Sequence, residues 1–422
     1  MTHRTLSRRQ VIRDTAMGAA GLAVAGLGRP ALGALGANDR IRVGIIGPGD
    51  RGLGLLHKFF ARKSAFNAEL VAICDLWKLR REEIQAEVKT EFGVQVKVYR
   101  NTEELYGARV VDAVIIATPD FSHAILTAEA VRAGMDVYAE KPLAHNLEDA
   151  KLVRQAVQET GKILQVGTGM RSRPRCIGAA RLVKEGRFGK ITNVELCCNV
   201  NDPMRWRRPE RVQLLKEEDT DWERYQLNRP RRPFDARRYL EFRLFWPYSS
   251  GLPDQWMSHF IDAVAMISGD LYPKSCVASG GIYQWHDGRE NPDTFAAILE
   301  YPSGFQVRYT SRQNNSYEKE RMLFLCNQGT LDVSAGKVLP EGGIGKEAGG
   351  VGDLLEAADL AGGEEGTSHM ANWLECLRTR RPPNADITAG YSHSIAVAMA
   401  IMALQTGRKV IFNPDTHELR QA

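Results

Sequence analysis

The sequence lacks the marks of a metalloprotein or a covalent hydrolase. Its seven cysteines (Cys74, Cys176, Cys197, Cys198, Cys276, Cys326 and Cys376) form no C-x-x-C pair, and their count is odd. They read as small core residues, with a disulfide open but not required. His57, His145, His286, His369 and His393 show no metal-ligand spacing, so no metal is expected. No G-x-S-x-G and no catalytic cysteine pattern occurs. After residue 40 we read no stretch as long and apolar enough to cross a bilayer. Excess charge is also scarce. Five arginines and one aspartate in the first 37 residues account for +4 of the net +5, so nucleic-acid binding gains little support. With 422 residues and 43% hydrophobic content, the chain can build two domains with real cores.

Residues 1–37 read as an address rather than structure. Ser7-Arg8-Arg9-Gln10-Val11-Ile12-Arg13 resembles the twin-arginine export pattern, and the weakly apolar run Ala16 to Leu27 follows it. The expectation is export of the folded chain by the twin-arginine machinery to the periplasm or another extracytoplasmic space.

From residue 38 to 168, short β-branched runs alternate with helical patterns. Ile41–Gly47, Glu69–Cys74, Val94–Tyr99, Val110–Ala117, Asp136–Ala139 and Ile163–Gly167 read as strands. Helices fall between them, one of them Leu147–Thr160, begun by Asn146 and ended by Gly161. This rhythm predicts an α/β Rossmann domain with a doubly wound parallel sheet. The pattern then changes to period two with turns, as in Phe295–Tyr301, Pro302-Ser303-Gly304 and Phe305–Thr310. Residues 169–385 are therefore expected to form an α+β substrate and oligomerisation domain on an open, mainly antiparallel sheet. Residues 341–366 are Gly-rich and read as a loop. Ser368–Thr379 and Ala389–Thr406 read as amphipathic helices, and 386–422 as the C-terminal helix and tail.

Gly47-Pro48-Gly49-Asp50-Arg51-Gly52 is G-x-G-x-x-G, placed after the first strand and at the start of the first helix. Gly47 allows a tight turn, Gly49 a close approach to a pyrophosphate, and Gly52 close packing. Asp50, Arg51 and the helix N-terminus would face the phosphates. Asp75 ends the second strand. A carboxylate there takes both ribose hydroxyls and repels a 2′-phosphate, so NAD is favoured over NADP, with Lys78 nearby as the argument for NADP.

Three further segments carry a resemblance. They are Ala117-Thr118-Pro119-Asp120-Phe121-Ser122-His123, Glu140-Lys141-Pro142, and Ser258-His259-Phe260-Ile261-Asp262. With the fingerprint and the second domain, they resemble the glucose–fructose oxidoreductase, inositol dehydrogenase and MocA family over roughly residues 38–415. The resemblance implies hydride transfer between a nicotinamide and a carbohydrate hydroxyl, with Lys141 holding the hydroxyl and His259 as the base. It places Thr118, Pro119, His123, Glu140 and Lys141 at the cofactor. Gln255, His259 and Asp262 share one helix face, so Asp262 could orient the imidazole. The family usually carries Asp four residues before this His. Here that residue is Gln255, and the acid is Asp254. Either Asp254 reaches in from a loop or the proton relay differs.

Arg205–Arg243 holds 12 basic and 8 acidic residues with interleaved aromatics. We read most of it as a surface excursion or subunit contact. Arg171 and Trp206 are candidates for substrate contact. Besides an oxidoreductase acting on a sugar, cyclitol or glycoside, two alternatives stay open. One is an NAD-dependent glycoside hydrolase that oxidises transiently, eliminates and returns hydride. The other is a non-catalytic, cofactor-retaining binding protein. By the same resemblance, a homo-oligomer (dimer or tetramer) is expected.

Overall fold

Six short, apolar runs pair into one parallel sheet in a computed structural model that describes residues 39–339 and 368–422. Residues 1–37, read above as an export signal, and the Gly-rich 341–366 segment lie outside the described residues. In chain order the sheet holds β1 (Ile41–Ile46), β2 (Ala68–Cys74), β3 (Lys97–Tyr99), β4 (Ala113–Ile116), β5 (Asp136–Ala139) and β6 (Leu164–Val166). Spatially the order is β3-β2-β1-β4-β5-β6. All four β4 residues are buried, as a strand covered on both faces must be. The connecting helices are α1 (Asp50–Phe60), α2 (Lys78–Phe92), α3 (Thr102–Gly107), α4 (His123–Arg132) and α5 (Leu147–Thr160). Asn146 caps α5, its side chain accepting from the Asp149 N–H, and left-handed Gly161 ends it. Strand order reverses between β1 and β4, which lie side by side. Ligands of open α/β sheets bind at that switch point, beyond the strands' carboxyl ends.

Next come α6 (Pro174–Lys184) and a nine-stranded sheet. Its strands are β7 (Ile191–Asn199), β8 (Ser275–Gly281), β9 (Thr294–Glu300), β10 (Gln306–Arg312), β11 (Glu320–Cys326), β12 (Gly329–Asp332), β13 (Lys337–Leu339), β14 (Val410–Asn413) and β15 (Glu418–Gln421). The pairing is antiparallel except for β7 beside β10, which is parallel, so the sheet is mixed. Along β9, Phe295, Ala297 and Leu299 are buried, while Ala296, Ile298 and Glu300 face outward. The inner face carries α7 (Ser258–Ser268) and α9 (Ile387–Thr406), and α8 (His369–Thr379) packs back on the Rossmann side.

α9 corrects two expectations. It is 20 residues long with a mean hydropathy of 1.5, enough by length and composition to cross a membrane. It is also buried on all sides rather than amphipathic, with 78% of its most apolar window inside the protein. A helix between two domains needs no polar face, so period alone could not place it. All seven cysteines are free thiols, and only Cys198 is not fully buried.

Candidate active site

Two clefts meet at the carboxyl ends of β1 and β4. The first, of about 400 Å³, is lined by the glycine loop, Asp75, Trp77, Thr118 and Pro119. The loop fits a pyrophosphate. Gly47 has φ +72°, and a Cβ there would lie 2.5 Å from the Thr118 side chain. A Cβ on Gly52 would lie 2.9 Å from the Gly47 carbonyl oxygen, whereas one on Gly49 would meet nothing within 4 Å. Turn, packing and open approach are thus divided among the three glycines. Asp75 lines the cleft, its Oδ1 accepting from the Trp77 N–H at 2.8 Å, and burial pushes its carboxyl up to about 6.

The stretch 205–243 closes this cleft, which corrects its reading as a mere surface excursion. Trp206, Arg208, Arg211, Arg224, Tyr225 and Tyr239 all line it. Ion pairs pin the strap to the Rossmann helices. Arg208 meets Asp50 at 3.0 Å, Arg211 holds both Glu83 oxygens at 2.7 Å, and Arg224 meets Glu103 at 2.5 Å. Arg229 pairs with Asp149, and Asn228 donates to the same carboxylate at 3.0 Å. Arg211 also lies 4.6 Å over the Trp77 ring. Trp206 lines this cleft and not the second one. Its ring packs 5.6 Å from Trp256, which lines the second cleft.

The second cleft, about 780 Å³, holds the reactive groups. Lys141, His259, Asp120, Gln255 and Arg243 line it, and Arg51, Ala117, Thr118 and Arg243 border both clefts. Lys141 follows β5, and its Nζ donates to the Gln255 carbonyl oxygen at 2.6 Å. That carbonyl sits in a π-turn, Pro253–Met257, at the head of α7. Burial draws the Lys141 ammonium down to about 8. Burial, then the Lys141 charge, holds the His259 imidazole well below its usual value. At neutral pH the site thus offers an ammonium beside a neutral imidazole, the states needed for charge stabilisation and proton acceptance.

α9 fixes the Lys141 loop from beneath. The Leu143 N–H donates to His393 Nε2 and the Ala144 N–H to Ser394 Oγ, both at 3.1 Å. A Cβ on Gly390 would fall 2.5 Å from the Leu143 side chain and 2.9 Å from that of Val166. The Lys141-Pro142 peptide is cis.

Several expected site residues are held by the frame, though Asp50 lines the first cleft and His123 and Glu140 the second. Asp254 is fully buried, accepting from the Ser250 N–H at 2.7 Å and facing His145 Nδ1 at 3.2 Å. Burial works against its charge, yet His145 and these hydrogen bonds hold its carboxyl below the usual range. It lines neither cleft. Asp262 does not orient His259; Arg171 Nε takes its carboxylate at 2.8 Å. Asp262 lies one turn deeper than His259, where α7 packs on the 169–172 loop. Arg171 is spent on that buried pair and lines neither cleft. Glu140 is buried and paired with Arg51 at 2.6 Å. Asp50, at 68% side-chain exposure, is held by Arg208. The two ring nitrogens of His123 face the Pro142 and Thr118 carbonyl oxygens at 2.8 and 2.7 Å, bracing the loops after β4 and β5.

Asp120 and Arg243 were missed. Gln255 joins them, its Nε2 donating to Asp120 Oδ2 at 2.5 Å and its Oε1 accepting from Arg243 Nε at 2.8 Å. Ser249 Oγ donates to the same Asp120 oxygen at 2.6 Å. The carboxylate beside Gln255 thus comes from the Rossmann side, in the Thr118-Pro119-Asp120 turn, rather than from α7.

Residues 41–168 match the GFO_IDH_MocA model, described as an oxidoreductase family with an NAD-binding Rossmann fold. The match is confined to this domain and leaves the second domain outside it. Among curated relatives, a scyllo-inositol 2-dehydrogenase (NAD(+)) of Bacillus subtilis is 34% identical over 36% of this chain and 42% of its own length. A glycosyl hydrolase family 109 protein of a Shewanella species is 30% identical over 42% of this chain and 38% of its own. The chain thus spans less than half the length of these relatives. The fold extends further. The WlbA dehydrogenase of Bordetella pertussis, solved in complex with NADH and UDP-GlcNAcA, superposes with a TM-score of 0.65 over 89% of this chain and 99% of its own at 20% identity. The matched region is an NAD-binding Rossmann domain, and the glycine cradle and Asp75 fit that cofactor.

Proposed function

We propose that the chain is an NAD-dependent oxidoreductase acting on a hydroxyl of a sugar, cyclitol or glycoside. The observation that carries this reading is the meeting of the two clefts. Lys141, His259 and Asp120 face a cavity that shares Arg51, Ala117, Thr118 and Arg243 with the dinucleotide cleft. Bound NAD supplies a hydride acceptor there, and NADH a donor. Gly47, Gly49 and Gly52 would take the pyrophosphate and Asp75 the ribose hydroxyls. Lys141 Nζ holds the reacting oxygen and stabilises charge on it as its proton leaves. His259 accepts that proton. Asp120, Gln255 and Arg243 keep the Gln255 carbonyl, and with it Lys141, in place.

A second reading is a redox-assisted glycosidase, which must keep its cofactor through a full cycle. The strap's ion pairs across the dinucleotide cleft favour that retention. The leader pattern supports export. Outward-facing Val277 and Ile298, paired across β8 and β9, support a sheet-to-sheet oligomer.

The test is to incubate NAD-loaded protein with polyols and glycosides, reading reduced nicotinamide and products by mass spectrometry. Accumulating NADH with a keto product supports the oxidoreductase. Glycoside cleavage without net NADH supports the second reading. Neither event, with NAD bound, would overturn both in favour of a binding protein.

A further inference from the structure

The two clefts use their arginines differently. Around the dinucleotide cleft, Arg80, Arg208, Arg211 and Arg224 each face a carboxylate. Among the described residues of the reaction cavity, seven lysine and arginine side chains stand against three carboxylates. Of those three, Glu140 is paired with Arg51, and Asp120, hydrogen-bonded by neutral Ser249 and Gln255, sets its single negative charge against Lys141 and Arg243. Glu320 lies only at the edge, 4.0 Å from Arg173, with both side chains about half exposed or more.

Besides exposed Lys58 and Arg62, three guanidinium groups carry the excess. Arg205 lies 5.6 Å over the Trp256 ring, and its Nε is buried with no hydrogen-bond partner among the described residues. Arg243 is half-buried and its Nε is met by a neutral amide oxygen. Arg173 has only the weak Glu320 contact. Arg173 and Arg205 border the reaction cavity but not the dinucleotide cleft, so a pyrophosphate in that cleft does not account for them. The charged side chains that bear on His259 (Lys141, Arg51 and Arg173) are all cationic. Uncompensated like charges in a partly desolvated cavity cost free energy that a bound anion recovers. A neutral polyol recovers little of it. Charge-assisted hydrogen bonds are roughly twice as strong as neutral ones, and guanidinium binds oxyanions in a bidentate fork.

We propose that this cavity takes an anionic polyol, a sugar or cyclitol whose carboxylate or phosphate is held by Arg173, Arg205 and Arg243 while its reacting hydroxyl meets Lys141 and His259. The assignment rests on the oxidoreductase reading for the hydroxyl, but the anion site stands on its own residues. A cavity of about 780 Å³ has room for a monosaccharide with such a group.

The experiment is calorimetric binding to NAD-loaded protein of matched sets: glucose with glucuronate and glucose 6-phosphate, galactose with galacturonate and galactose 6-phosphate, and myo-inositol with its monophosphate. At least one anionic member is expected to bind about tenfold or more tightly than its neutral parent. The uronates and phosphates separate the two oxyanions. The R173Q/R205Q double variant should lose that preference while keeping its NAD stoichiometry. If no anionic member exceeds its neutral parent, or the preference survives in the double variant, the proposal is overturned. The wild-type comparison decides alone if the variant does not fold. Oxidation of a neutral parent with no oxidation of any anion would sink the anion site and leave the oxidoreductase reading standing. Anion preference without hydride exchange would do the reverse.

Discussion

The dinucleotide cleft and the reaction cavity adjoin, yet they are built on opposite electrostatic plans. In the first, the strap's arginines are consumed by Glu83, Asp50, Glu103 and Asp149, so charge serves closure. In the second, cations outnumber carboxylates among the described residues around one ammonium and one neutral imidazole, and on our proposal that charge serves a ligand. Paired charge near a surface contributes little stability, about 0–1 kcal/mol per pair, but fixes geometry and resists opening. Unpaired charge in a half-buried cavity lowers stability and gains affinity. The same residue type thus does two jobs, separated only by what faces it.

The comparison can be broken from either side. The largest effect is expected from Lys141→Met, which removes the group that holds the reacting oxygen. Turnover should fall by about 10²–10³ or more while NAD affinity stays nearly unchanged, read by steady-state rates beside NAD titration. His259→Asn should follow, losing about 10²–10⁴ in rate through the missing base, with the cofactor cleft again untouched. pH separates the two clefts next. Lys141 is an ammonium below about 8 and an amine above it, so kcat/KM should fall as pH rises through about 8. Asp75 is charged above about 6 and protonated below it, so NAD affinity should weaken as pH falls through about 6. Profiles of rate and of NAD affinity would show the two limbs apart. The smallest effect belongs to the strap. Glu83→Gln frees Arg211 and should speed NAD release several-fold, more so at high salt, with little change in the rate at saturating NAD. Stopped-flow displacement of bound cofactor checks this.

The fold was readable because its signals are local. β-branched runs, glycine stops and the Asn146 cap fix the Rossmann elements without knowledge of partners. The mixed character of the second sheet was not readable, because the parallel β7–β10 pairing joins segments more than 100 residues apart. The site divides the same way. Lys141, His259 and the glycines carry motif context. Asp120 lay inside a quoted motif and was passed over for its neighbours. Arg243 was hidden in a charge-rich stretch whose carboxylate partners lie far away in sequence. His393 and Ser394, which hold the Lys141 loop, sit in an apolar helix where polar residues look like interruptions. Asp254 and Asp262 show the converse error. Helical spacing gave their direction, but burial spent them on His145 and Arg171.

The most direct test of the two-cleft account is a titration of NAD and NADP into nucleotide-free protein, run in parallel on wild type, Lys141→Met and Asp75→Ala. The account predicts one NAD per chain, bound by wild type and Lys141→Met alike, with preference over NADP that shrinks in Asp75→Ala. No uptake of either nucleotide, or uptake that depends on Lys141 but not on Asp75, would contradict it.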